Sequence, residues 1–509
     1  MSILACGGDH WIGLTERGGL LVRGENSEGQ LGIGTRNSEW HPTVLGGIGT
    51  VVGDDVGELI GGVNALALLA ATKAQSAALP RGVLAHPFDE KAAMVSAGEE
   101  HTMCVTDGGV VYAWGSNHQG QLGVNNTTQQ AQALGVFMHR STAPLRWSEH
   151  LCNRSPARMV ACGDYHTLVL TQAGEVFACG RGRHGETGNS LLPDIVRFPE
   201  RVPGLHAMVL VAAGDMFSGA VGVDGQVWMW GNCRHGRLGY PPAMPQTRTA
   251  PDPRSLGLAA FGSSPVVLLN LRTNRAAAVT EMGELWAWGN NTCGKLGLGD
   301  DTLRVIPTLV TDGKMPTWGG SQVYMGCCGF QHQLVLTEDG AVWTCGEGTF
   351  GALGLSDLLD RWVPTRIMPA AFGGAKIVCV AGGSDISFAV TAQGILYIWG
   401  TDSFAAGMLR PAPLALPSPV EGSLVPGGHV GQSCNLSRRH KLSFCMGAHP
   451  RLGAPPPLPH ELPQSGAPHR DLQDEMLEAI LVHCVRLDGD YANMGNGLLH
   501  LLAVRVREN

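Results

Sequence analysis

Seven pairs of glycines, the two members of each pair six residues apart, run through the chain: Gly18 and Gly24, Gly109 and Gly115, Gly174 and Gly180, Gly225 and Gly231, Gly283 and Gly289, Gly340 and Gly346, Gly394 and Gly400. A period kept this strictly means one structural unit repeated, so each unit must bury a face against its neighbours. The segments around the pairs read TERGGLLVRG, TDGGVVYAWG, TQAGEVFACG, GVDGQVWMWG, TEMGELWAWG, TEDGAVWTCG and TAQGILYIWG. Polar residues ahead of Gly, between two β-prone runs, mark a hairpin, because Gly accepts the positive φ of a tight turn. In the second unit Val110, Tyr112 and Trp114 share one face of a strand while Val111 and Ala113 share the other. With both faces apolar, the strand is expected to be covered on both sides.

A strand signal ending in Ala-x-Gly or a close variant precedes each hairpin. Another follows it in most units, as in HPTVL around Pro42 and IPTLV around Pro307. Four strands per unit make a propeller blade. Gly accounts for 72 of 509 residues, roughly twice ordinary usage, which fits many short strands joined by tight turns. The residue before the second Gly is Trp in four units (Trp114, Trp230, Trp288, Trp399), Cys in two (Cys179, Cys345) and Arg23 in the first. Burying a Trp removes about 200 Å² from water, a gross gain of about 5 kcal/mol. Units with Cys or Arg there are expected to pack less well.

After the second Gly the chain continues GENSEGQLG, GSNHQGQLG, GRGRHGETG, GNCRHGRLG, GNNTCGKLG and GEGTFGALG, with a degenerate seventh, GTDSFAAGM. On these residues the chain resembles the regulator-of-chromosome-condensation family, whose repeat is similar to AGEEHTMCVTDGGVVYAWGSNHQGQLG. The likeness covers about residues 1–400 and implies an all-β fold, a seven-bladed β-propeller. We assign the propeller to residues 1–450. Successive second glycines are 91, 65, 51, 58, 57 and 54 residues apart, and the long first interval places an insertion at 46–93 between the first two blades. Residues 451–470 are a Pro/Gly-rich linker. Just before it, HKLSFCMG has the character of a further strand that closes the ring. Residues 471–509 form a short C-terminal helical extension. Within it Asp471 suits an N-cap, Asp474 and Glu475 the first turn, and Leu472, Met476, Ile480 and Cys484 fall on one face.

Several motifs that look chemical sit in register with the repeat. GRGRHG from Gly180 and GEGTFG from Gly346 match a dinucleotide fingerprint, but that fingerprint needs a following helix in a βαβ unit. GNNTCGKL from Gly289 has Leu296 where a phosphate loop needs Ser or Thr for magnesium. His10, His101, His166 and His332 share a repeat position with Phe217, Arg275 and Ile386, so packing and local hydrogen bonding are expected of them, not metal or acid–base work. No catalytic, metal or cofactor site is expected. The fourteen Cys include no CxxC pair and read as reduced core residues. The start MSILACGGDH has no secretory character, and the longest apolar stretch, 59–71, is too short for a bilayer. A cytoplasmic or nuclear protein without a membrane segment is the expectation.

The net charge of −8 disfavours direct DNA binding by the propeller, because nonspecific affinity comes from cations on phosphates. Acidic residues Asp9, Glu99, Glu100, Asp164, Asp215 and Asp385 gather just before the second strands, a candidate rim for a basic partner. Arg181, Arg183, Arg234, Arg237 and Lys295 follow the third strands as a candidate basic loop patch. Two roles remain: a protein–protein interaction scaffold, or, as the resemblance implies, a guanine-nucleotide exchange factor for a Ran-like small GTPase. Exchange needs only tighter binding to the nucleotide-free state. Photoreception of the kind found in a plant relative is not expected, since the positions before the repeat His hold Asp9, Glu100, Tyr165 and Gln331 instead of a Trp cluster.

Overall fold

The computed structural model describes residues 4–14, 20–33, 36–45, 92–124, 127, 155–241, 248–311, 318–400 and 414–419. They form seven antiparallel sheets, six of four strands and one of three, each paired in sequence order. Blade 1 comprises Leu4–Cys6, His10–Leu14, Leu20–Gly24 and Glu39–Leu45; blade 2, Ala92–Ala97, His101–Thr106 and Val111–Gly115. Blade 3 comprises Ala157–Cys162, His166–Thr171, Val176–Arg181 and Ile195–Arg201; blade 4, Met208–Ala213, Phe217–Gly222, Val227–Asn232 and Thr249–Ser255. Blade 5 comprises Val266–Arg272, Arg275–Thr280, Leu285–Gly289 and Arg304–Val310; blade 6, Val323–Cys328, His332–Thr337, Val342–Gly346 and Arg361–Arg366. Blade 7 comprises Ile377–Gly382, Ile386–Thr391, Leu396–Gly400 and Leu414–Pro419. The chain is the seven-bladed β-propeller that the glycine period implies. Ala92 and Ala93 already belong to blade 2, at the end of the stretch read as an insertion. The rest of that stretch, HKLSFCMG, the linker and the C-terminal extension lie outside the described residues.

The period has a steric cause. Each Trp-Gly glycine, Gly24 to Gly400 in the seven blades, sits at a φ between 100° and 124°. A Cβ there would lie within 2.7 Å of the carbonyl oxygen just before the second strand, as at Gly115 against Glu100 (2.4 Å). Only glycine fits both demands.

Neighbouring blades are joined by a relay. His101 of blade 2 holds the Thr167 hydroxyl of blade 3 through Nε2 at 3.0 Å, and that hydroxyl donates to the Gln121 carbonyl of blade 2 at 2.8 Å. The same arrangement joins His10 to Thr102, His166 to Ser218 and His332 to Ser387. The hydroxyls donate to the carbonyls of Gln30, Glu186 and Ala352. The Trp-Gly indole converges on the same acceptor: Trp114 donates to Gln30, Trp230 to Glu186, Trp288 to Arg237 and Trp399 to Ala352, all at 2.9–3.0 Å. These four Trp are fully buried. Where Cys replaces Trp, the thiol reaches the equivalent carbonyl at longer range, 3.5 Å for Cys179 and 4.0 Å for Cys345. The repeat histidines are therefore joints, and burial lowers their pKa to about 3, which keeps them neutral.

Three junctions depart from the relay. Between blades 4 and 5, Phe217 and Ala276 are packed in one apolar cluster. Between blades 5 and 6, Arg275 is wholly buried and donates to the carbonyls of Lys295, Gly329 and His332. Between blades 7 and 1, Trp11 packs on Phe388 with ring centroids 5.8 Å apart, and the Ser384 hydroxyl donates to the Gly8 carbonyl at 2.8 Å. The first strands of all seven blades line an axial cavity of about 240 Å³.

Candidate functional site

In blades 1–6 the turn before the second strand and the loop after the third strand emerge on the same face of the ring. Backbone bonds tie them together: Ser116 N–H donates to the Glu100 carbonyl, Arg181 N–H to that of Tyr165 and Glu347 N–H to that of Gln331. The acidic and basic residues singled out in the sequence therefore share one surface, around the mouth of the axial cavity.

The acidic residues divide into two registers. Glu99, Asp164 and Asp215 stand two residues before a second strand, and their charges act on one another across the mouth. Asp9, Glu100 and Asp385 stand one residue before it, where their carbonyls lie against the Trp-Gly glycines. Burial pushes the Asp385 carboxyl up, helped by Glu347, a residue of the neighbouring blade and not of the mouth. All six are half-buried.

The inner three are organised by a residue the sequence reading missed. Six blades have a glycine three residues before the second strand, and a Cβ there would lie 2.3 Å from the imidazole at Gly7, Gly98 and Gly163. Blade 5 has Arg272, and Arg275 in place of the ring. The Arg272 guanidinium crosses to blade 1, donating to the carbonyls of Cys6 (3.1 Å) and Gly7 (2.8 Å). Glu99 is pushed up by burial, with Arg272 opposing and Asp215 and Glu100 adding. Asp164 is pushed up to about 8 by burial and then by Asp215 and Glu99, against Arg272, with its hydrogen bond to Asp215 also raising it. The departure from the repeat glycine was the signal in the sequence.

The basic residues divide as well. Arg181 pairs with the fully buried Glu186 at 2.7 Å, lies 4.5 Å over the Tyr165 ring and donates to the Asp215 carbonyl. Arg237 is buried over Phe217 and donates to the carbonyls of Arg234 and Thr273. Lys295 is 2% exposed, donates to Gln331 Oε1 at 2.5 Å and has its pKa lowered to about 7 by burial, then by Arg275. Arg183 and Arg234 alone of the five are exposed. Four of the carboxylates at or beside the mouth (Glu99, Asp164, Glu186, Asp215) thus sit among four cations (Arg181, Arg237, Arg272, Lys295), while Asp9, Glu100 and Asp385 stand further out. Blades 6, 7 and 1 present Phe330, Ser384 and Gly8 at the equivalent inner positions, and Phe330 is 43% exposed. At these inner positions the face is charged on one side and apolar or small on the other, with Asp9 and Asp385 in the outer register of blades 1 and 7.

The glycine-rich loops from Gly180, Gly289 and Gly346 lead into fourth strands of their own blades, not into the helix that a dinucleotide or phosphate site requires. Among the described residues no group of three or more His, Cys, Asp or Glu is placed to hold a metal ion, and no helix is long and apolar enough to cross a membrane.

Residues 2–326 match the family model of the RCC1-like domain, and residues 339–390 match the regulator of chromosome condensation (RCC1) repeat. The ultraviolet-B receptor UVR8 of Arabidopsis thaliana is 30% identical over 320 residues, 62% of this chain and 66% of the receptor. The human E3 ubiquitin-protein ligase HERC2 is 29% identical over 323 residues, 61% of this chain but 6% of the ligase. The chain thus spans less than two-thirds of the length of these relatives. The secretion-regulating guanine nucleotide exchange factor of Bos taurus is 25% identical over 395 residues, 71% of this chain and 79% of that protein. Among solved structures, yeast RCC1 (Prp20) bound to Kap60 superposes with a TM-score of 0.60 at 22% identity, covering 82% of this chain and 85% of that one. Prp20p of Saccharomyces cerevisiae, in a structure described with its binding properties to Gsp1p and histones, gives 0.56 at 19%, covering 75% and 80%.

Proposed function

The chain belongs to the RCC1-like-domain family, and from that premise we propose that it is a protein–protein interaction scaffold whose contact surface is the face around the axial mouth. The observation that carries this reading is the division of that face. At its inner positions the charged residues come from blades 2–5 and the exposed Phe330, with Ser384 and Gly8, from blades 6, 7 and 1, while Asp9 and Asp385 stand in the outer register of blades 1 and 7. A directional pattern of this kind orients a partner, with charges setting register and an aromatic supplying buried area. The repeat histidines, engaged in the blade joints, are not free for acid–base work. Recovery of partners from extract with the intact protein, Phe330→Asp and a chain lacking residues 471–509 tests the reading. Loss on Phe330→Asp supports the face; equal recovery by Phe330→Asp and the intact chain removes it.

A second reading, guanine-nucleotide exchange on a small GTPase, is favoured by the likeness to the bovine exchange factor over most of its length. The Prp20p work, which concerns binding to Gsp1p and histones, fits either reading. Nucleotide release from a panel of purified small GTPases separates them, and no acceleration with any member retires the exchange reading. We also propose a cytoplasmic or nuclear setting, the reading that the cysteine usage of the sequence favours.

A further inference from the structure

We propose that the loops following the third strands of blades 3 and 4 form a docking site for an acidic peptide segment carrying an apolar side chain, with Arg183 and Arg234 as its cationic contacts. The proposal rests on the scaffold reading and names the chemistry of the partner.

Both loops are held by buried charge. In blade 3, Glu186 takes Arg181 through its carboxylate and the His184 N–H at 2.7 Å. In blade 4, Arg237 closes the turn on the Arg234 carbonyl. The loops adjoin: Arg181 reaches the Asp215 carbonyl of blade 4, Gly185 lies against Pro251 of blade 4, and Ser190 N–H donates to Asp252 Oδ1. From this frame Arg183 and Arg234 project into solvent, and neither makes an ion pair among the described residues. His184 and His235 stand beside them, His184 half-buried and His235 exposed at a left-handed φ of 58°. Leu191, in the blade 3 loop, is 91% exposed.

An uncompensated cationic patch in a chain of net charge −8 is a local feature, and its spread over two blades fits a polyvalent anion better than a single phosphate. Asp194 and Asp252, exposed on the same two blades and the latter bonded to Ser190 N–H, disfavour a long, uniformly anionic strand more than a short segment with few carboxylates. A short acidic peptide can confine its carboxylates to Arg183 and Arg234 and set its apolar side chain against Leu191, which is exposed beside the Ser190–Asp252 bond.

The histidines give the site a pH response. Burial lowers the His184 pKa, with Arg181, Arg183 and Arg234 adding and Glu186 opposing. Burial also lowers that of His235, with Arg237, Arg234 and Lys295 adding. A bound carboxylate offsets the cationic field, so the complex takes up protons and tightens as pH falls.

The test uses the full chain and a short fluorescein-labelled Glu-rich peptide with one Leu, followed by anisotropy. Expected are saturable binding, weakening with salt, and a loss of about tenfold or more in Arg183→Glu/Arg234→Glu. Arg366→Glu on blade 6 should bind as the parent does, and circular dichroism verifies that each variant is folded. Binding should strengthen as pH falls from about 7 through about 6.5 and on toward about 5, and His184→Ala/His235→Ala should flatten that profile. Absence of binding, binding indifferent to the double arginine reversal, or tighter binding of a single-stranded DNA oligonucleotide at the same residues overturns the proposal. Should the arginine reversal keep the cellular partners that Phe330→Asp loses, this inference fails while the scaffold reading stands.

Discussion

The Arg272 guanidinium, at the end of the first strand of blade 5, donates to the Gly7 carbonyl of blade 1 at 2.8 Å, joining two blades that are not neighbours in the ring. Hydrogen bonds from a charged donor contribute about 1.5–3 kcal/mol each. Arg272→Gln should therefore lower stability by about 2 kcal/mol in urea titrations. It also removes the cation that opposes ionisation costs at Glu99 and Asp164, so the deficit should widen as pH rises above neutral.

The four repeat histidines have pKa values near 3 in the fold against an ordinary 6.5, because burial penalises their charged form. Their contribution to stability is complete above about pH 6.5 and is lost as pH falls toward 3, each unit of depression being worth about 1.4 kcal/mol. Stability measured by denaturant should fall steeply over that range. His166→Gln should lessen the slope, while costing about 1–3 kcal/mol at neutral pH through disruption of the bond to Ser218.

Asp164 shows the opposite dependence. Its folded pKa is raised, so its favourable contribution is present below about pH 4 and is lost as pH climbs through the folded value. Asp164→Asn cannot ionise and can donate permanently to Asp215. Thermal melts should show the variant more stable than the parent above neutral pH, the gap closing toward about pH 4.

Gly98→Ala would place a methyl 2.3 Å from both the Gly163 carbonyl oxygen and His101 Cε1. Neither backbone nor buried ring can retreat, so a loss of about 3 kcal/mol or more is expected in urea titrations. Gly204→Ala meets open space and carries only the cost of its φ of 77°, about 1 kcal/mol.

The hairpins and the blade count were legible because glycine spacing records a steric demand that every unit shares. The structural part of the histidines was legible too, since Phe217 and Ile386 occupy their position. The two-register split of the acidic residues was also present in the spacing, as Glu99, Asp164 and Asp215 align with Gly8 and Phe330, while Asp9 and Glu100 align with Tyr165. It was obscured by taking neighbouring carboxylates together. The pairing of Arg181 with Glu186, and the burial of Arg237 and Lys295, depend on where loops from several blades meet. No local pattern encodes that. Arg272 stood out only as a missing glycine, and its reach to blade 1 spans 265 residues of sequence.

A closed circle made from a linear polymer needs one joint that can be made last. Here it falls between blades 7 and 1, where Trp11, Phe388 and Ile386, with a single Ser384–Gly8 hydrogen bond, stand in for the His and hydroxyl relay found at four other joints. Shape-fitting of apolar groups tolerates a range of approach angles, whereas a hydrogen-bond relay does not. The propeller thus has a clasp, and under tension or heat that clasp is where the circle should part first.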